Sequence, residues 1–140
     1  MRDTIIKFLQ NNHFNQLDTE FDFYTNPQNS EYFIVSQYSS NDLHNFFDDD
    51  KTSQVIKEFE RLSLKSEHEN IKKNTSLFIL VEVDNLKEAF EDEKLQRSIL
   101  LIEEDYYYFR KFIILYTRNG LLDLRDKATN EALYNYLEFS

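Results

Sequence analysis

Two sets of residues in this chain are of types that do chemistry. The first is Glu82 and Asp84, two positions apart in "LFILVEVDNL". Alternate side chains of an extended strand share a face, so the two carboxylates point the same way and could hold Mg²⁺ for phosphodiester hydrolysis. The second is "IEEDYYYFRK", residues 102 to 111, which sets Glu103, Glu104 and Asp105 beside three tyrosines, then Arg110 and Lys111, between two apolar runs. Consecutive residues on a helix lie about 100° apart, so Tyr106, Tyr107 and Tyr108 cannot all enter one core. At least one ring is exposed beside charges, a combination that suits a contact surface better than a catalytic one. The candidate partner-binding residues are therefore Glu103, Glu104, Asp105, Tyr107, Tyr108 and Arg110.

Catalytic readings find little support. Restriction-endonuclease-like enzymes place Glu-x-Lys on the metal strand, whereas this triplet is Glu82-Val83-Asp84 and Lys87 falls beyond the strand. "DDDK" at 48 to 51 lacks the glycine and the ladder of oxygen ligands of a calcium loop, and reads as a lead-in to a helix whose dipole favours acids there. His13, His44 and His68 are scattered through polar stretches, and "HENIK" at 68 to 72 misses the second histidine of a zinc helix. The chain contains one glycine, Gly120. Phosphate-binding loops, dinucleotide turns and nucleophile elbows all need glycines for positive φ or close backbone approach, so ATP, GTP or NAD sites of the usual kind are not expected. No cofactor, metal site or enzyme activity is expected.

The elements that must position these residues follow from periodicity. Ile5, Phe8 and Leu9 give an amphipathic helix over residues 2 to 12. "EFDFYTNPQNSEYFIVSQY" reads as two strands around an Asn-Pro-Gln-Asn turn, with one face of the second turning polar toward Ser36. Ser40 or Asn41 can cap a first turn, and Asp50 or Thr52 a helix over 52 to 64 that buries Val55, Phe59 and Leu62. "SEHENIKKN" reads as a charged connection. In "TSLFILVEVD", Leu77, Ile79, Val81 and Val83 share one face, and Phe78 and Leu80 the other, so this strand is buried on both sides with a wet end. Residues 86 to 109 return to helical spacing through the stripe Leu95, Ile99, Ile102, Tyr106 and Phe109. "RKFIILYT" reads as a central strand, with Phe112, Ile114 and Tyr116 opposite Ile113 and Leu115. Asn119-Gly120 marks a turn, and a last helix is expected over 123 to 138. The sum is a single domain, residues 1 to 140, of the α/β (α+β) class: a mixed sheet of three to four strands with helices packed on it.

Composition narrows the partners. Acidic residues number 26 against 16 basic, a net charge of −10, which repels phosphate backbones and disfavours direct DNA binding. There is no cysteine, so disulfides and zinc-thiolate sites are ruled out. The apolar runs fall far short of the ~20 residues that span a bilayer, and "MRDTIIKFLQNNHF" lacks the apolar core of a signal peptide. A cytoplasmic protein without membrane contact is expected.

Residues 71 to 117 carry a resemblance. Lys73, Asn74, Thr75, Ser76 and Leu77 open a hydrophobic strand. Ile102 to Asp105 then end a helix before the aromatics Tyr106 to Phe109, the pair Arg110-Lys111 and a second strand closing on Tyr116-Thr117. This pattern resembles the middle component of bacterial ABC-type three-component systems. The resemblance implies a small non-catalytic subunit between an SMC- or Rad50-like ABC ATPase and an effector protein, touching DNA only through the complex. The implied setting is anti-phage or anti-plasmid defence, similar in organisation to Lamassu-type complexes. Two other functions stay open on the residues alone: a metal-dependent nuclease using Glu82 and Asp84, and an acidic inhibitor such as an antitoxin or DNA mimic, which the charge would suit.

Overall fold

The structure, a computed structural model, describes residues 1–119. Gly120 and the helix expected over 123 to 138 lie outside the described residues. Five strands, β1 (Asn15–Gln16), β2 (Asp22–Thr25), β3 (Tyr32–Ser39), β4 (Thr75–Glu82) and β5 (Arg110–Tyr116), form one mixed sheet in chain order. The β1–β2 and β2–β3 pairings are antiparallel, and β3–β4 and β4–β5 are parallel. The β2–β3 turn is shaped by Asn26, whose side-chain oxygen accepts from the amides of Ser30 and Glu31, and by Asn29 at φ 50°, a conformation asparagine tolerates better than most residues.

Parallel neighbours need crossover connections, and these carry most of the helices. Between β3 and β4 run a 3-10 helix (Leu43–Asp48), α2 (Asp50–Ser63) and a 3-10 turn (Ser66–His68). Between β4 and β5 run α3 (Leu86–Glu91) and α4 (Glu93–Glu103). Their apolar residues, among them Phe46, Val55, Phe59, Leu62, Leu95 and Ile102, pack on Ile34, Leu77, Ile79, Val81 and Ile113. The N-terminal helix α1 (Arg2–Asn11) packs Ile5, Phe8 and Leu9 on Tyr24, Val35, Phe78, Leu80, Ile114 and Tyr116 of the other sheet face. Strand β4 is therefore enclosed on both sides, as its alternation implies. No helix of the described residues is long and apolar enough to cross a membrane.

Several boundaries differ from expectation. The sheet has five strands rather than three to four, and β5 ends it among the described residues instead of lying centrally. Residues 86 to 109 do not form one helix. Asp92 caps α4 by accepting from Leu95 N at 3.1 Å, and α4 ends at Glu103. Tyr106 then lies exposed, while Phe109 is buried from the lead-in to β5 rather than from a helix. Asp49, not Asp50 or Thr52, caps α2, by accepting from Lys51 N at 2.8 Å. Thr52 is buried instead, 2.6 Å from the Tyr38 hydroxyl. The first turn starts from Asp42, whose amide bonds to the Ser39 hydroxyl, rather than from Ser40 or Asn41. Ser36, the expected start of a polar face on β3, is buried. The charged connection after α2 contributes core, since Ile71 and His68 are buried and His68 Nδ1 lies 2.9 Å from the Tyr32 hydroxyl.

Candidate functional site

The link from α4 to β5 is built around one buried ammonium. Lys111 shares a strand face with Ile113 and Leu115, so the alternation of β5 drives its stem into the core, where it is 4% exposed. Its Nζ forms an ion pair with Asp105 Oδ2 at 3.0 Å. It also donates to the carbonyls of Asp105, Tyr107 and Phe109 at 3.2, 2.9 and 3.2 Å, and sits 5.0 Å from the Phe109 ring centroid. A buried charge is tolerable when paired and hydrogen-bonded in this way. Residues 105 to 109 are thereby wrapped about Lys111. Tyr108 takes φ 71°, costly for a residue with a Cβ, between two carbonyls that Lys111 holds. The Glu103 carboxylate accepts from Ile113 N at 3.1 Å and fastens the end of α4 to β5.

The stretch divides accordingly. Glu103 and Asp105 are half-buried and bonded within the joint. Glu104 and Arg110 are exposed, as are Tyr106 and Tyr107 at 76% and 78%. Tyr108 is half-exposed and leans edge-on against Phe59 of α2, with centroids 6.5 Å apart. Of the six candidate residues, Glu104, Tyr107, Tyr108 and Arg110 face outward, and Glu103 and Asp105 serve the backbone that displays them. Lys111 escaped the candidate set, although its parity with Ile113 was visible in the sequence.

Two concavities adjoin the loop. One, of about 810 Å³, lies between α2 and the tyrosines and includes Leu64 and Lys72. The other, of about 350 Å³, is polar and gathers Lys73, Asn74, Thr75 and Ser76 with Arg110. Parallel pairing sets Ser76 opposite Arg110, so both halves of the sequence pattern meet at one end of the sheet. Part of this run is structural: the Thr75 hydroxyl donates to the Ile71 carbonyl, and the Asn74 carbonyl accepts from Tyr32 N.

The carboxylates considered for metal chemistry stand elsewhere. Glu82 is exposed at the opposite end of β4, between Ser39 and Tyr116 in register, and Asp84 is exposed past the strand end. Among the described residues no group of three or more His, Asp or Glu side chains is placed to hold a metal ion. Burial, with Glu82 adding a smaller contribution, pushes the Tyr116 phenol above its ordinary pKa. In "DDDK", Asp49 caps α2 while Lys51 donates to the Gln37 carbonyl and lies 4.9 Å over the Tyr38 ring. His13 and His44 are exposed.

A family model described as the ABC-three component (ABC-3C) system Middle Component 1 matches residues 31–137, most of the chain. The match spans both the Lys73–Leu77 run and the whole α4–β5 joint. No curated protein and no solved structure matches.

Proposed function

This chain belongs to the ABC-three component (ABC-3C) system Middle Component 1 family, and on that premise we propose that it is a non-catalytic adaptor. It links an SMC- or Rad50-like ABC ATPase to an effector protein in a bacterial anti-phage or anti-plasmid defence complex. The observation that carries the reading is the display of Glu104, Tyr106, Tyr107 and Arg110 on a backbone pinned by Lys111. Tyrosine and arginine are enriched where interfaces concentrate their energy. A loop already held by four interactions of one ammonium loses little further freedom on binding. Contact with DNA, in this reading, comes through the ATPase.

The test is co-purification of the ATPase encoded beside this protein with wild type and with Glu104→Ala, Tyr107→Ala and Arg110→Ala. At least one variant is expected to lower the affinity by about tenfold or more while melting at the wild-type temperature. Wild-type association in all three removes this loop as the contact, and failure of the wild-type chain to associate at all removes the adaptor reading.

A further inference from the structure

We propose that the groove between α2 and the tyrosine loop docks a partner segment bearing an apolar side chain flanked by carboxylates. This inference rests on the adaptor reading and names the chemistry of what is bound. The groove's volume, about 810 Å³, falls within the ~300–1,000 Å³ typical of binding pockets. Its apolar wall is Phe59, Leu64, Tyr106 and Tyr108. Leu64, at the C-cap of α2, is 86% exposed, and Tyr106 across the groove is 76% exposed. Adjoining exposed apolar residues in a concavity mark an interaction site rather than scattered surface.

Charge selects the occupant. The chain carries −10 overall, yet this groove is lined by three cations, Lys57, Arg61 and Lys72, against one carboxylate, Glu60. Arg61 is engaged by Glu58 and by the carbonyl of Asp18. Lys57 and Lys72 form no ion pair among the described residues, and are the groups left to read an incoming carboxylate. A basic segment would set like charges together, which disfavours it. A second copy docked groove to groove about a two-fold axis would set this net-positive lining against itself, three cations and one carboxylate on each side. Nucleic acid could meet the lysines and stack on the tyrosines, but the net charge repels its backbone and Leu64 offers no stacking face. An acidic segment with a leucine or phenylalanine anchor satisfies the wall and the rim together.

The probe is a phage-displayed random dodecapeptide library selected on the full chain, with selected peptides then measured by fluorescence anisotropy. The expected peptides carry Asp or Glu beside Leu or Phe. Their Kd should weaken about tenfold or more with Leu64→Asp, Lys57→Glu or Lys72→Glu, each melting as wild type. Exchanging one peptide carboxylate for lysine should restore binding to a charge-reversed variant. An empty selection, basic or charge-indifferent peptides, binding unmoved by Leu64→Asp, or stronger competition by an oligothymidylate overturns the proposal. So does a shift of the free chain to a dimer that Leu64→Asp dissolves. The same measurements separate the two readings: if no acidic apolar peptide is selected, or its binding is unmoved by Lys57→Glu, Lys72→Glu and Leu64→Asp, while Tyr107→Ala or Arg110→Ala still weakens ATPase co-purification, the groove assignment fails and the adaptor stands.

Discussion

Lys111 takes a full charge into the interior, and its value to the fold depends on every group that meets it. Replacement by methionine keeps the stem but leaves the partly exposed Asp105 carboxylate without its cation and removes one donor from each of three carbonyls, of which that of Tyr107 keeps the Phe109 amide. Breaking a buried pair from one side commonly costs ~3–5 kcal/mol. Because Asp105 keeps some access to water, Lys111→Met is expected near the lower end, about 3 kcal/mol, read as a lowered urea midpoint at unchanged slope. A loss below ~0.5 kcal/mol would show that the ammonium does not hold the joint. Titration at the residue scale concerns tyrosines. Burial pushes the phenols of Tyr24, Tyr32, Tyr38 and Tyr116 above their ordinary pKa. Folding thus favours their neutral form. Their stabilising contribution is whole below the unfolded value of about 10 and drains as pH climbs through the raised folded values. The melting temperature should therefore hold between pH 7 and 9 and fall above about pH 10. Tyr38→Phe, which removes one of these phenols, should soften the alkaline decline; an identical decline would assign it to other groups.

Elements decide which substitutions in one short stretch harm folding and which harm binding. Ile102 on α4 and Ile114 on β5 are buried on opposite faces of the sheet, so alanine at either should cost ~2–5 kcal/mol. Glu104→Ala, Tyr107→Ala and Arg110→Ala remove exposed groups and should shift stability by no more than roughly 0.5 kcal/mol. Thermal melts of the five variants check the division, and early melting of all three surface variants would make the outward residues part of the joint. Strand β4 was legible in the sequence because both its faces alternate apolar residues without interruption, which only an enclosed strand does. The end of α4 was not. The stripe Leu95, Ile99, Ile102, Tyr106, Phe109 continues at helical spacing, but Asp105 bonds back to Tyr107 N and to Lys111, offering the backbone partners outside the helix. Phe109 reaches the core from the strand side, so its burial imitated a helical position. At the candidate site, the exposure of tyrosines followed from helical geometry even though the segment is not helical, because no regular element buries three consecutive side chains on one face. The groove was illegible, since Leu64, Lys72 and Tyr106 come from separate segments that only the packing of α2 against the joint brings together.

At the scale of the whole molecule, charge sets what the chain can do by itself. Duplex binding draws most of its free energy from neutralised phosphates and released counterions. A chain with 26 acidic and 16 basic residues presents the wrong sign at long range, and its exposed cations are dispersed: Lys57 and Lys72 line one groove, Lys73 and Arg110 the other. Those clusters are local enough to read a carboxylate and too small to track a backbone. The isolated protein is therefore expected to bind duplex DNA with a Kd weaker than about 1 μM at physiological salt. Any residual affinity should weaken further as salt rises. Glu82 and Asp84 add two carboxylates to one end of β4, away from both cation clusters, so a phosphodiester bound at either cluster would not lie beside them. Accordingly, supercoiled plasmid incubated with the purified chain and Mg²⁺ or Mn²⁺ should remain intact. Sub-micromolar duplex binding in a gel shift would contradict the electrostatic account. Cleavage that Glu82→Gln abolishes while leaving the melting curve unchanged would replace the adaptor with a nuclease, whatever the tyrosine loop binds.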